Sequence, residues 1–260
     1  MPFLTFDGGR RLNYRLDGPE GAPVLMFSNS LGADYSMWRL QVPALDKRFR
    51  VLRYDARGHG QSAPAAGEEY RMEDVAGDAL ALLDELGIKR AHFCGLSMGG
   101  AVGQWLAVNT DKIDRLVLAN TAAAFSVTAD VWIARHAAVL AGGMPAVVEG
   151  VIQRWFKPDF FEREPELAAA ARAMILACSP QGYAGCCAAL RDTDYRPQMA
   201  AIKVPTLVIG GTHDVATSPA RNRELAEGIA GAKLVMFDTA HIGAMEQGAA
   251  FTAALADFLG

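Results

Sequence analysis

One stretch has the residue types and spacing of a serine nucleophile. The apolar run Ala91-His92-Phe93-Cys94 leads directly into Gly95-Leu96-Ser97-Met98-Gly99-Gly100, and helical spacing follows over residues 98–109. A G-x-S-x-G pattern at a strand-to-helix turn holds the serine in a strained backbone and projects its hydroxyl. The glycines are needed because a side chain there would collide with the neighbouring strand or helix. The amide of Met98 falls at the helix N-terminus, where N–H groups stabilise negative charge. The bare pattern is a weak signal, and a glycine turn of purely structural use is the competing reading. The strand–turn–helix setting is what makes it strong.

A serine hydroxyl needs a base, and the base needs an orienting acid. The chain offers His59, His92, His136, His213 and His241. His92 opens the strand before the turn, which puts it at the wrong end of the sheet. His136 falls in a helical stretch, and His59 lies in Asp55-Ala56-Arg57-Gly58-His59-Gly60 after a strand. His241 follows the last strand, in Phe237-Asp238-Thr239-Ala240-His241. Asp214 follows the strand Thr206–Ile209 through Gly210-Gly211-Thr212-His213. Both are loop residues at strand carboxyl ends, the edge where open α/β sheets build their sites. The candidate set is Ser97 as nucleophile, His241 as base and Asp214 as acid. His213 shares the acid's own loop and is the weaker base. The other place for an acid, after the strand Arg115–Ala119, holds Asn120-Thr121 and no carboxylate.

These residues need a scaffold that brings distant loops to one edge. Short apolar runs at Phe3–Phe6, Leu12–Leu16, Val24–Phe27, Val51–Tyr54, Ala91–Cys94, Arg115–Ala119, Thr206–Ile209 and Leu234–Phe237 give about eight strands. Asp7-Gly8-Gly9 and Gly18-Pro19-Glu20-Gly21 read as turns. Helical patterns lie at Met72–Leu86, closed by Gly87, and at 98–109, 219–229 and 246–259. Alternating strands and helices predict an α/β fold: a mostly parallel eight-stranded sheet with helices on both faces. The alternation breaks over 122–195, where Ala-rich helical patterns carry Trp132 and Trp155 and no convincing strand. The expected organisation is a core of 1–121 and 196–260 with a helical cap, 122–195, inserted over the carboxyl edge.

Composition excludes several classes. The 260 residues are 51% apolar, which leaves enough surface to bury for a folded core and rules out intrinsic disorder. Lys and Arg total 25 against 29 Asp and Glu, a net charge of −4 with no basic block. Nucleic-acid binding, which needs a cationic footprint, is not expected. No apolar run reaches the roughly 18 residues of a membrane span, and the opening residues lack a signal-peptide layout, so a cytoplasmic protein is expected. Cys94, Cys178, Cys186 and Cys187 lack metal-site spacing and read as small buried hydrophobes.

The chain resembles the α/β-hydrolase superfamily over its whole length, and more narrowly the 3-oxoadipate enol-lactonases of protocatechuate and catechol degradation. Four segments carry the resemblance: Ser28-Asn29-Ser30-Leu31-Gly32; Asp55-Ala56-Arg57-Gly58-His59-Gly60-Gln61-Ser62; Cys94-Gly95-Leu96-Ser97-Met98-Gly99-Gly100; and Gly211-Thr212-His213-Asp214-Val215-Ala216-Thr217. The order Ser97, Asp214, His241 is that of α/β-hydrolases. Asn-Ser at positions 29–30, where most superfamily members have His-Gly, is typical of the enol-lactonases. The loop Ala240-His241-Ile242-Gly243-Ala244-Met245-Glu246 departs from the family, with Gly-Ala in place of the usual Ser-Asn.

The resemblance implies the remaining roles. The oxyanion hole is expected from the amides of Met98 and Leu31, with Ser30 as the one-residue alternative. The implied reaction is hydrolysis of a ring ester through an acyl-enzyme, with no metal and no cofactor. The partner is a small lactone bearing a carboxylate. Trp132 and Arg135, at i and i+3 of a cap helix, are candidates to bind it, Arg135 through the carboxylate. Asn29 either donates to the substrate or fixes the oxyanion loop. Other serine hydrolases of this fold (a carboxylesterase, a perhydrolase, a carbon–carbon-bond hydrolase) remain open. So does a non-catalytic small-molecule-binding protein of this fold. A dehalogenase is disfavoured, because its elbow nucleophile is an aspartate.

Overall fold

The computed structural model describes residues 2–6, 9–67 and 69–260. Eight strands form one sheet: β1 (Phe3–Thr5), β2 (Arg11–Asp17), β3 (Val24–Ser28), β4 (Arg50–Tyr54), β5 (Ala91–Leu96), β6 (Ile113–Ala119), β7 (Thr206–Gly211) and β8 (Lys233–Phe237). Their spatial order is β1-β2-β4-β3-β5-β6-β7-β8. β2 runs antiparallel to β1 and β4, and every pairing from β4 to β8 is parallel. Parallel strands bury both faces, which explains their nearly unbroken apolar runs. Every residue of β7 is buried, so helices must cover it on both sides. Of the expected turns, Asp7 and Gly8 lie outside the described residues, while Gly18 and Gly21 take φ of 89° and 82°.

The helices are α1 (Val42–Leu45), α2 (Met72–Glu85), α3 (Met98–Asn109), α4 (Ala129–Gly142), α5 (Val148–Trp155), α6 (Phe160–Arg163), α7 (Pro165–Leu176), α8 (Pro180–Arg191), α9 (Pro219–Gly228), α10 (Gly243–Glu246) and α11 (Gly248–Leu259). The apolar stripe Val75, Ala79, Leu82 and Leu83 of α2 is buried, and Gly87 follows in the left-handed region at φ 65°. The single helix expected over 246–259 is two. Gln247, at φ −129° and ψ 55°, interrupts the ladder, and the short α10 belongs to the loop after β8.

Between β6 and β7 the chain makes a helical excursion, α4 to α8, with one isolated antiparallel bridge, Ala124 to Asp194. The two ends of the excursion are tied side by side. Tyr195 N–H donates to the Ala123 carbonyl at 2.7 Å and Phe125 N–H to that of Thr193 at 2.9 Å. It packs on its own apolar centre, with Phe156 stacked on Phe160 at 4.1 Å and Tyr183 and Ile175 fully buried. It seats on strand-end loops: Ser179 N–H donates to Gly58 O at 2.8 Å, and Ile242 N–H to Trp155 O at 2.9 Å. α4 is the least buried of its helices, with Val139 alone fully covered.

Candidate active site

The turn after β5 is built by steric exclusion. A Cβ on Gly95 would lie 2.0 Å from the Gly99 carbonyl oxygen, and one on Gly99 would lie 2.2 Å from that of Ser28. Only glycine lets β5, α3 and the end of β3 approach this closely. Ser97 between them is held at φ 57° and ψ −112°. A side-chain-bearing residue pays about 1–3 kcal/mol for such a conformation, so the surroundings must impose it. They do so through Ser97 N–H to Ala119 O at 2.9 Å, Thr121 Oγ1 to Ser97 O at 2.8 Å and Gly99 N–H to Asn29 O at 3.0 Å.

His241 and Asp214 come from the loops after β8 and β7. His241 Nδ1 lies 2.9 Å from Asp214 Oδ2, and both side chains are buried. Asp214 is saturated with donors. Oδ1 accepts from the N–H groups of Ala216 and Thr217 at 2.8 and 2.9 Å. Oδ2 also accepts from Thr217 Oγ1 at 2.7 Å and Asn120 Nδ2 at 3.2 Å. Burial opposes ionisation of this carboxyl, yet the imidazole of His241 and the bonds from Thr217 outweigh it and hold its pKa below the usual carboxylate range. Asn120, at φ 43°, also donates to Ala240 O at 3.2 Å, so it ties the acid to the chain just before the base. The position after β6, where a carboxylate is absent, thus carries an amide that supports Asp214. Sequence reading passed over that role; its signal was the residue's place at a strand end. Gly243 packs beside this cluster: a Cβ there would lie 3.1 Å from Thr239 Oγ1 and 3.3 Å from Asn120 Oδ1.

Ser97 and His241 line one cavity of about 100 Å³, with Ser30 and Leu31 on the sheet side. No acceptor among the described residues takes the N–H of Ser30, Leu31 or Met98. Of the expected oxyanion donors, Leu31 and its alternative Ser30 thus stand unpaired on the cavity lining, and Met98 stands unpaired at the first position of α3, next to Ser97. The excursion supplies the opposite wall, which includes Trp132, Arg135, Arg154 and Trp155. Arg135 lies over the Trp132 ring, 4.9 Å from its centroid, and Trp132 Nε1 donates to Phe125 O at 3.2 Å.

Asn29 does not reach this cavity. Its Nδ2 donates to Tyr54 O at 2.8 Å, and its Oδ1 accepts from Trp38 Nε1 at 2.8 Å. With both ends of the amide spent and the residue 1% exposed, it fixes the loop after β3 and is not positioned to touch a substrate. Arg154 is the charged lining residue that sequence reading missed, along with apolar and small ones; Val151, Arg154 and Trp155, at i, i+3 and i+4 of α5, share the cavity-facing stripe. The other histidines with described side-chain partners lie elsewhere. His213 meets exposed Asp238 at 2.7 Å, His59 Nδ1 lies 3.0 Å from Arg57 O, and His92 packs edge-on against Phe49. All four cysteines are free and buried.

A strained serine at a strand–helix turn, on a sheet of this strand order, defines an α/β-hydrolase. The chain belongs to the α/β-hydrolase fold family, whose model matches residues 23–247. Among curated relatives it is similar to 3-oxoadipate enol-lactonase 2 of Acinetobacter baylyi, with 40% identity over 94% of this chain and 91% of that one. Among solved structures it is similar to the enol-lactonase from Burkholderia xenovorans, with 47% identity, a TM-score of 0.95 and 99% of each chain covered. A thermophilic esterase from Thermogutta terrifontis, solved with malate bound, matches at 29% identity and a TM-score of 0.90, covering 99% of this chain and 96% of that one.

Proposed function

We propose that this chain opens 3-oxoadipate enol-lactone to 3-oxoadipate, in the degradation of protocatechuate and catechol, with Ser97, His241 and Asp214 as its catalytic triad. The observation that carries the reading is the single cavity onto which Ser97 and His241 both open, with His241 Nδ1 held by buried Asp214. Likeness to two enol-lactonases over nearly the whole chain supports the substrate.

Ser97 Oγ attacks the lactone carbonyl while His241 Nε2 takes its proton. Asp214 keeps the remaining proton on Nδ1 and stabilises the imidazolium. The N–H groups of Met98 and Leu31 receive the oxyanion, each worth roughly 3 kcal/mol in comparable sites. The ring C–O bond breaks, the enol oxygen takes the proton from His241, and the enol tautomerises to the ketone. Water, deprotonated by His241, then attacks the acyl-enzyme, and Ser97 leaves with its proton restored. Arg135 holds the substrate carboxylate against the excursion wall, with Trp132 beneath the guanidinium.

In this reading 122–195 act as a cap on a core of 1–121 and 196–260, a division supported by the paired strands of backbone at Ala123–Phe125 and Thr193–Tyr195. The site of action is the cytoplasm, in keeping with four unpaired cysteines. The test is an ultraviolet assay with freshly generated enol-lactone beside simple aryl esters. Ser97→Ala is expected to fold normally and to lose several orders of magnitude in kcat/KM. Near-wild-type turnover by that variant refutes the nucleophile. Fast aryl-ester cleavage with negligible lactone turnover favours a carboxylesterase, a reading to which the similar esterase lends weight.

A further inference from the structure

Arg135 on α4 and Arg154 on α5 face the site cavity from two different helices. Both also line a second hollow, of about 340 Å³, that opens between α4 and α5 beside Val131, Ala146 and Gly150. The inner cavity and this outer hollow thus share Val131, Arg135 and Arg154 as lining. The excursion's other arginines are all in ion pairs: Arg163 with Asp159, Arg172 with Glu149, and Arg191 with Glu69 and Asp192. Arg135 and Arg154 have no carboxylate partner among the described residues. Arg154 Nε donates to Gly150 O at 2.8 Å, which anchors one edge of the fork and leaves the rest for a ligand. Burial and the neighbouring charge of Arg135 push the Arg154 pKa below its ordinary value. Two like charges brought together without a counter-ion are held at a cost that an anion between them removes.

We propose that Arg154 is a specificity-determining residue that acts with Arg135 to draw a carboxylate-bearing ester through the opening between α4 and α5 and to hold its anionic end there. The proposal rests on the hydrolase reading above for the identity of the ester, but anion capture itself is measurable without turnover. The fold also supplies a way to silence Arg154 without removing it. A Cβ on exposed Gly150 would sit 3.7 Å from an Arg154 Nη2, an ordinary contact. Gly150→Glu therefore sets a carboxylate against the guanidinium, whereas Gly150→Gln adds the same bulk without charge.

The experiment is calorimetric titration of the wild-type chain and three variants with adipate and with its uncharged diamide. Loss of a charge-assisted contact of this kind corresponds to about 10-fold or more in affinity. Arg154→Gln and Gly150→Glu are each expected to weaken adipate by that factor relative to the diamide; Gly150→Gln, which adds the same bulk to the hollow's lining without charge, is expected to keep the wild-type ratio of the two affinities. In parallel, the wild-type kcat/KM for the enol-lactone is expected to fall with added salt, and to fall less in Gly150→Glu. Unchanged adipate affinity in Arg154→Gln and Gly150→Glu overturns the proposal. So does equal weakening of adipate and diamide, which marks a structural role. If the wild type fails to turn over the enol-lactone yet shows the Arg154-dependent adipate binding, the substrate assignment falls and anion capture stands.

Discussion

Asp214→Asn tests the site most sharply, because the structure dictates which way the new amide must turn. Oδ1 of Asp214 faces two backbone donors, Ala216 N–H and Thr217 N–H. Neither can become an acceptor, so the amide oxygen must stay there and the NH2 must take the place of Oδ2. Oδ2 faces His241 Nδ1, the Thr217 hydroxyl and the Asn120 amide. The hydroxyl rotates, Asn120 Nδ2 loses this acceptor and keeps its bond to Ala240 O, and the imidazole answers by moving its proton to Nε2. That tautomer presents an N–H to Ser97 and cannot accept its proton. The expected loss in kcat is about 10⁴-fold, or about 5 kcal/mol of barrier, as in other triads whose acid is so replaced. Removal of the charge from the remaining bonds costs about 1–3 kcal/mol of stability, so the fold survives. The assay is lactone turnover beside a thermal melt and ¹⁵N chemical shifts of the His241 ring. A folded variant with kcat within 10-fold of wild type, or with the proton still on Nδ1, refutes the argument.

Three further expectations follow from individual side chains. Arg135→Ala is expected to lower kcat/KM for the enol-lactone about 10- to 150-fold while sparing an uncharged lactone of similar size; equal losses on both would count against carboxylate binding. Glu246 is buried, which raises its carboxyl pKa, although its oxygens accept from Ala240 N–H at 2.7 Å and Lys157 N–H at 3.2 Å. A carboxyl raised in the folded state favours folding fully below its unfolded pKa, and that advantage drains away as pH rises through the folded value. Glu246→Gln is therefore expected to gain on wild type in urea melts as pH rises from 4 to 7, on top of a pH-independent offset from the misplaced NH2; a flat difference refutes the shift. Finally, burial pushes all four thiols up, Cys187 to about 12, so a thiol-reactive dye is expected to label the protein only after denaturation.

The parts of this molecule that were legible in the sequence are those set by neighbours along the chain. Strand positions follow from short apolar runs, because a strand in a covered parallel sheet must be apolar on both faces. α3 begins where the elbow glycines permit it, since the clashes that select Gly95 and Gly99 involve residues only a few positions away or the adjoining strand. Boundaries were less legible. At Gln247 the sequence offers only the lone Gly248 that follows it, which a helical pattern tolerates, yet the helix breaks there because the preceding turn is committed to the loop that carries His241.

What tertiary structure alone decided are contacts between residues far apart in the chain. Asp214 and His241 were legible as an ordered pair of strand-end residues, but Asn120, 94 positions before Asp214, joins them only because β6 and β7 are adjacent in the sheet. Asn29 looked as suited to a substrate as to a loop until folding brought Tyr54 and Trp38 to the two ends of its amide. Nothing in the residues around Arg154 sets it apart from other helical arginines, and it joins Arg135 at one cavity only because α4 and α5 both line that cavity. A side chain's hydrogen-bonding capacity is written in its type. Whether that capacity is spent on the fold or left for a ligand depends on which distant groups the packed chain brings within reach.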